Sequence, residues 1–229
     1  MSCLRIFLLL LLSLSPLPGQ EQPLFEWFGE GSLPGAATDH PAVVKGELGV
    51  AQELQFSCSG GNPGEAQYIT PSIREGTYDK FTITLFIKPE RKRANETLVY
   101  LTDRTPAGGM SFRKSWKTWG LVLGRDGDRK VHLSKKLEAE LIIGEWNHLA
   151  VTFNDGVIKF YRNGLLVDIQ TSEQKEISVK RRNVLRIGAG TGITPKIYDG
   201  FQGRMGAIYL SLHELDEAQI HQLMERAIP

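Results

Sequence analysis

Glu145-Trp146-Asn147-His148-Leu149-Ala150-Val151-Thr152-Phe153-Asn154-Asp155-Gly156, continued by Val157-Ile158-Lys159-Phe160-Tyr161-Arg162-Asn163-Gly164-Leu165-Leu166-Val167, decides the fold of this chain. Leu149, Val151 and Phe153 alternate with polar or small neighbours, the period of a strand with one buried face. Asn154-Asp155-Gly156 supplies residues that tolerate positive φ, and Asn163-Gly164 suits a tight two-residue hairpin turn. The stretch therefore reads as strand, turn, strand, turn, strand: an antiparallel meander.

Outward from the meander, short apolar runs are separated by Gly, Pro, Asn and Asp, which predicts an all-β chain. Phe81-Thr82-Ile83-Thr84-Leu85-Phe86-Ile87-Lys88-Pro89 alternates strongly, and Pro89 ends it by removing a ladder donor. Further strands are expected at Leu24 to Phe28, Ala42 to Val44, Gly49 to Cys58, Tyr68 to Thr70, Thr97 to Thr102, Trp119 to Leu123, Lys130 to Leu133, Val184 to Gly188 and Gly203 to Leu210. Their regular spacing is that of a sandwich. A single amphipathic helix is predicted at the end. Ser211 stands three residues before Glu214 at capping-box spacing, and Ile220, Leu223, Met224 and Ala227 share one face.

Five stretches in this order resemble the laminin-G-like modules of the concanavalin A-like lectin/glucanase superfamily. They are Gly49-Val50-Ala51-Gln52-Glu53-Leu54-Gln55-Phe56, the Phe81–Pro89 strand, the meander, Leu185-Arg186-Ile187-Gly188, and Phe201-Gln202-Gly203-Arg204-Met205-Gly206-Ala207-Ile208-Tyr209-Leu210. The resemblance implies a jelly-roll sandwich of two antiparallel sheets with a short C-terminal helix. It also implies ligand recognition by rim loops or the concave sheet, often near a calcium ion. Two acidic positions usual in such modules are replaced here, by Met205-Gly206-Ala207 and by Phe56-Ser57-Cys58. Asp199 and Asp39 are left as the candidate calcium ligands, and calcium needs six to eight oxygens from several loops.

Residues 1–20 read as an export signal. Arg5 precedes the run Ile6-Phe7-Leu8-Leu9-Leu10-Leu11-Leu12, too short to cross a bilayer, and no later segment is apolar enough to do so. Residues 21–229 form the single expected domain. Removing the signal leaves 26 basic and 26 acidic residues, a balance that argues against a nucleic-acid partner. Arg91-Lys92-Arg93 and Lys180-Arg181-Arg182 read as solvated loops, with an acidic-polysaccharide site as the sharper alternative. Cys58 is then the only cysteine, so the domain has no internal disulfide, and its strand context predicts a buried thiol.

The chemistry-bearing candidates are few. A retaining glycosidase needs two carboxylates about 5 Å apart. Glu214-Leu215-Asp216-Glu217 offers acids, but on a segment read as helical, where Glu214 and Asp216 do not share a face. No nucleophile elbow is present, and His213-Glu214 lacks the second histidine of a zinc-protease motif. His148 and Trp146 read as structural. The run Gly108 to Trp119 reads as a glycine-containing loop with interleaved aromatics and bases, its last residue starting a strand that carries it into the core. Trp116, with Arg113 and Lys117, is the candidate sugar contact, since sugar C–H faces stack on aromatic rings and cations bond hydroxyls or carboxylates. Asn95-Glu96-Thr97 is a glycosylation sequon. The expected protein is an exported, non-catalytic module binding a carbohydrate or an extracellular protein. The alternatives are a divergent polysaccharide-acting hydrolase of the same fold and a structural surface or assembly protein.

Overall fold

The computed structural model describes residues 23–28, 42–45, 52–56, 68–72, 74–91, 93–102, 108–125, 127–139, 141–180, 184–191 and 197–227. Residues 1–20, Asp39, Cys58, Lys92, Arg181 and Arg182 lie outside the described residues, and with them the expectations for the export signal and the cysteine.

The first strands are β1 (Phe25–Trp27), β2 (Ala42–Lys45), β3 (Gln52–Phe56), β4 (Tyr68–Ser72), β5 (Gly76–Tyr78) and β6 (Lys80–Pro89). Then come β7 (Glu96–Thr102), β8 (Gly109–Ser115), β9 (Thr118–Arg125), β10 (Asp128–Leu133) and the short helix α1 (Lys135–Ala139). The meander is β11 (Asn147–Asn154), β12 (Val157–Arg162) and β13 (Leu165–Thr171). The chain closes with β14 (Ile177–Val179), β15 (Val184–Ile187), β16 (Gly190–Thr191), β17 (Ile197–Tyr198), β18 (Gly203–Ser211) and α2 (Glu217–Glu225).

Two sheets make the sandwich. One runs β13-β12-β11-β6-β18-β3-β2 with β1 also on β18, and the other β10-β9-β8-β7-β15-β4. Every pairing in both is antiparallel. The chain changes sheet between β3 and β4, between β4 and β6, between β6 and β7, between β10 and β11, and again on either side of β15, so sequence-distant strands become neighbours. That is the all-β sandwich the alternation predicts, in the jelly-roll form the family resemblance implies.

Alternation decides which side chains fill the space between the sheets. Phe81, Ile83, Leu85 and Ile87 of β6 and Leu149, Val151 and Phe153 of β11 are fully buried. Facing them are Met110, Phe112, Trp119, Leu121, Leu123, Leu185 and Ile187 of the second sheet. Phe81 and Phe153 are cross-strand partners whose rings stack at 5.1 Å. Each such side chain contributes roughly 1.5–3 kcal/mol by leaving water.

The outer face of the larger sheet is also apolar, because α2 covers it. Ile220 packs with Ala150, Tyr161, Tyr209 and Leu215, and Ala227 packs with Phe86 and Ala207. Trp146 and Met224 border that second group. His148 lies in the same layer, buried against Phe86 and hydrogen-bonded through Nε2 to the Thr84 hydroxyl. Burial, with His221 as a lesser cause, pushes its imidazole down to about 3. It is a neutral structural histidine.

The cap of α2 corrects the sequence expectation. Asp216, not Ser211, is the N-cap, and it forms a reciprocal capping box with Gln219. Ser211 instead ends β18 opposite Thr82, and its hydroxyl accepts the His213 N–H. Two sites in this segment carry the same three-residue spacing. The strand claims the first because Ser211 extends a ladder already in place.

Candidate functional site

Gly108 to Trp119, read as a loop, is mostly strand. β8 and β9 pair in register from Gly109↔Gly124 to Ser115↔Thr118, leaving only Trp116-Lys117 as a two-residue turn. The alternation was present: Met110 and Phe112 point to the core with Trp119, Leu121 and Leu123, while Ser111 and Arg113 take the other face. What hid it was the turn. Both residues have positive φ, 51° at Trp116 and 72° at Lys117. Asn-Gly ordinarily fills such a turn, because Gly has no Cβ and Asn tolerates the left-handed region, whereas larger side chains are strained there.

One side-chain and one backbone oxygen of the neighbouring segment brace this turn. The Trp116 N–H donates to Asn95 Oδ1 at 3.0 Å and the Lys117 N–H to the Ala94 carbonyl at 2.8 Å. The indole is thereby presented to solvent, with Trp116 84 % exposed and Lys117 exposed beside it. Sequence reasoning noticed Asn95 only as a sequon. Its role as brace depends on a contact between segments that no spacing rule reveals.

Arg113 sits deeper than Trp116 and Lys117. It is buried, and its Nη2 lies 2.6 Å from Asp199 Oδ2. The structure thus joins one sugar-contact candidate to one metal candidate. Asp199, itself at positive φ, also accepts the Thr97 N–H through its carbonyl at 2.6 Å, and Arg93 donates to the adjacent Gly200 carbonyl. Burial pushes the Asp199 carboxyl above its ordinary value, against the opposing pull of Arg113 and, more weakly, Arg93. A carboxylate already bonded by a guanidinium does not suit a calcium ion. Among the described residues, no group of three or more His, Cys, Asp or Glu side chains could hold a metal.

The carboxylate considered for catalysis is similarly occupied. Glu214 accepts from Lys159 Nζ at 2.8 Å and from the Asn154 amide. Burial raises its pKa, but those bonds and the Lys159 charge outweigh it and hold the carboxyl below its ordinary value. Such a group is a poor proton donor at neutral pH. Asp216 is committed to the helix cap.

Two sheets in this strand order, with a helix across one face and hairpin tips at the rim, define the relatives. A family model described as the concanavalin A-like lectin/glucanases superfamily matches residues 53–221. The chain belongs to this superfamily. No curated protein matches the sequence. Similar solved structures include the botulinum neurotoxin serotype D ligand-binding domain in complex with N-acetylneuraminic acid. That match has a TM-score of 0.62 at 13 % identity, over 89 % of this chain and 50 % of the toxin domain. Domain 4 of an extracellular arabinanase from Geobacillus stearothermophilus, in complex with arabinotriose, matches with a TM-score of 0.60 at 18 % identity, over 86 % of this chain and 89 % of that domain. A heptameric pentraxin from Limulus polyphemus matches with a TM-score of 0.54 at 16 % identity, over 75 % and 80 % of the two chains. The chain spans about half the length of the toxin domain. At these identities the likeness establishes the sandwich architecture. Among the described residues no helix is long and apolar enough to cross a membrane.

Proposed function

We propose that this protein is an exported, non-catalytic lectin-like module that binds a glycan at the β8–β9 tip, with Trp116 as the stacking platform and Lys117 as a donor to sugar oxygens. The observation that carries the reading is a bulky aromatic, 84 % exposed, held at φ 51° by the bond its N–H donates to Asn95. Strained residues persist only where the surroundings hold them, and they gather at functional sites. An exposed indole gains nothing for the fold in that position. The Arg113–Asp199 pair serves as a strut behind the tip rather than as a direct contact, and it makes recognition independent of calcium at Asp199. Support also comes from relatives of the same fold solved with N-acetylneuraminic acid and with arabinotriose.

A glycan array run with and without calcium, paired with tryptophan fluorescence, tests this. Trp116→Ala is expected to weaken glycan binding about tenfold, the scale of one aromatic contact, and to abolish ligand quenching, with no calcium dependence. Unchanged affinity and quenching in Trp116→Ala would remove the tip from the site. Release of reducing ends from a bound polysaccharide would instead favour a hydrolase, and silence on all glycans an extracellular protein ligand.

A further inference from the structure

Of the chain's asparagines, only Asn95 stands two residues before a Ser or Thr, in Asn95-Glu96-Thr97. That pattern is the acceptor for an N-linked oligosaccharide. It also arises by chance, and two features of the structure separate a used acceptor from a chance one.

The first is the asparagine amide. Asn95 lies just ahead of β7, half-buried beside exposed Ala94. Its Oδ1 accepts the Trp116 N–H at 3.0 Å. A backbone N–H only donates, so the amide atom facing Trp116 is the oxygen and the other is the nitrogen. Among the described residues Nδ2 has no hydrogen-bond partner, and it is not buried. The oxygen braces the turn while the nitrogen that would carry a sugar opens to solvent.

The second is Thr97. Its side chain is fully buried, and its hydroxyl has no hydrogen-bond partner among the described residues. Buried threonines of β6 show the contrast. The Thr82 hydroxyl donates to the His213 carbonyl and accepts the Leu215 N–H, and the Thr84 hydroxyl bonds His148 Nε2. At Thr97 a valine would fill the same space without leaving a polar atom unpaired, which is destabilising in a core. The folded domain makes no use of that hydroxyl. Acceptor recognition does, and it acts on the chain before β7 pairs with β8 and Thr97 is enclosed.

We infer that Asn95 is an N-glycosylation site whose first sugar packs over Trp116. In the transfer, Nδ2 attacks C1 of an oligosaccharide carried on a lipid diphosphate. The N–C1 bond forms, the C1–O bond to the diphosphate breaks, and Nδ2 gives up one proton as the lipid diphosphate leaves. The product is a secondary amide, planar, with its substituent trans to Cβ. C1 therefore lies on the Oδ1 side of the amide, and Oδ1 is the atom bonded to the Trp116 N–H. Oδ1 remains an acceptor, so the brace survives modification. The sugar starts beside the turn that presents the exposed indole, and sugar C–H faces stack on aromatic rings. The reaction needs a secretory compartment, which the export proposed above supplies. The consequence for ligands rests on the reading of the tip as a glycan platform. A sugar attached at Asn95 occupies Trp116 in cis and shuts out external glycans, whereas an unmodified chain keeps the platform open.

The test is to express the full chain through a eukaryotic secretory pathway and measure its intact mass before and after peptide N-glycosidase. Loss of one oligosaccharide is expected for the native chain, and no loss for Asn95→Gln or Thr97→Val. Thr97→Ser, which keeps a hydroxyl, restores the modification. Thr97→Val also keeps the Asn95–Trp116 bond, and its melting temperature checks that it folds; should it fail, Asn95→Gln carries the comparison. Acrylamide quenching of tryptophan fluorescence is expected to be weaker in the glycosylated chain than in Thr97→Val, a difference abolished when both carry Trp116→Ala. On a glycan array, Thr97→Val is expected to bind at least about tenfold more tightly than the glycosylated chain, the scale of one aromatic contact. A native chain without the oligosaccharide would overturn the site. Equal quenching, or external binding of equal strength in both forms, would overturn the packing over Trp116. Silence of Thr97→Val on every glycan, with the quenching difference intact, would refute the tip as an external binding site and leave the Asn95 sugar and its cover of Trp116 supported.

Discussion

Two hairpins of this sandwich solve the same geometric problem with opposite residues. Between β12 and β13, Asn163 and Gly164 occupy positive φ, at 48° and 77°, between paired Arg162 and Leu165. Between β8 and β9, Trp116 and Lys117 occupy positive φ between paired Ser115 and Thr118. The first turn is cheap for its sequence and is further locked to its own sheet. Asn163 N–H donates to the His148 carbonyl, and Asn163 Oδ1 accepts the His148 N–H. The second turn resists its sequence and is held by Asn95 and Ala94, which lead into β7, the strand paired with β8. Where local preference and geometry agree, the chain is building scaffold. Where they conflict, and the conflict places an indole in solvent, the chain is presenting something.

The scaffold side can be broken most severely through the meander's core face. Phe160 is fully buried between the sheets, and Phe160→Ala is expected to destabilise the domain by about 3–5 kcal/mol. Denaturant unfolding should show the loss. A cost below 1 kcal/mol would mean that the meander is not the sandwich's structural centre.

The layer beneath α2 offers a pH test of the same side. His148 titrates near 3 in the folded domain, below its ordinary value of 6.5, so between those values the unfolded chain binds one more proton than the folded one. Stability from this residue is full above about pH 6.5 and declines as pH falls toward 3, by about 1.4 kcal/mol per pH unit. A His148→Gln variant should lose that slope while other acid-sensitive groups keep theirs. Equal slopes in unfolding measurements from pH 7 to pH 4 would show that His148 is accessible to protons in the folded state.

The fold was legible in the sequence because its signals are local and redundant. Alternation in β6 and β11 and the Asn163-Gly164 turn each state their own structure within a few residues, and the family resemblance runs along them in order. The C-terminal helix was legible as a face but not as a start, because Ser211 and Asp216 both carry cap spacing and only the β18 ladder chooses between them. The rim was less legible. Arg113 is a β8 residue whose partner, Asp199, arrives from a distant segment, and Asn95 reaches Trp116 only once β7 has paired with β8.

The smallest expected change in stability is the most direct test of the comparison, because it has the opposite sign. Replacing Trp116-Lys117 by Asn-Gly relieves two strained residues, each worth roughly 1–2 kcal/mol in the left-handed region. Part of that strain is already offset by the Asn95 and Ala94 bonds, which the replacement keeps because they use backbone N–H groups. A net gain of about 1–2 kcal/mol is therefore expected, together with loss of glycan binding at the tip. The reverse exchange, Trp-Lys for Asn163-Gly164, should cost at least as much. It introduces the strain and removes the Asn163 Oδ1 acceptor of the His148 N–H, and a Cβ at Gly164 would meet His221 Cδ2 at 2.9 Å. Thermal unfolding of the two exchanged variants gives the pair of signs. If the Asn-Gly tip were no more stable than the native one, the left-handed Trp116 would not be a strained presentation, and its exposure would have to be explained by the fold alone.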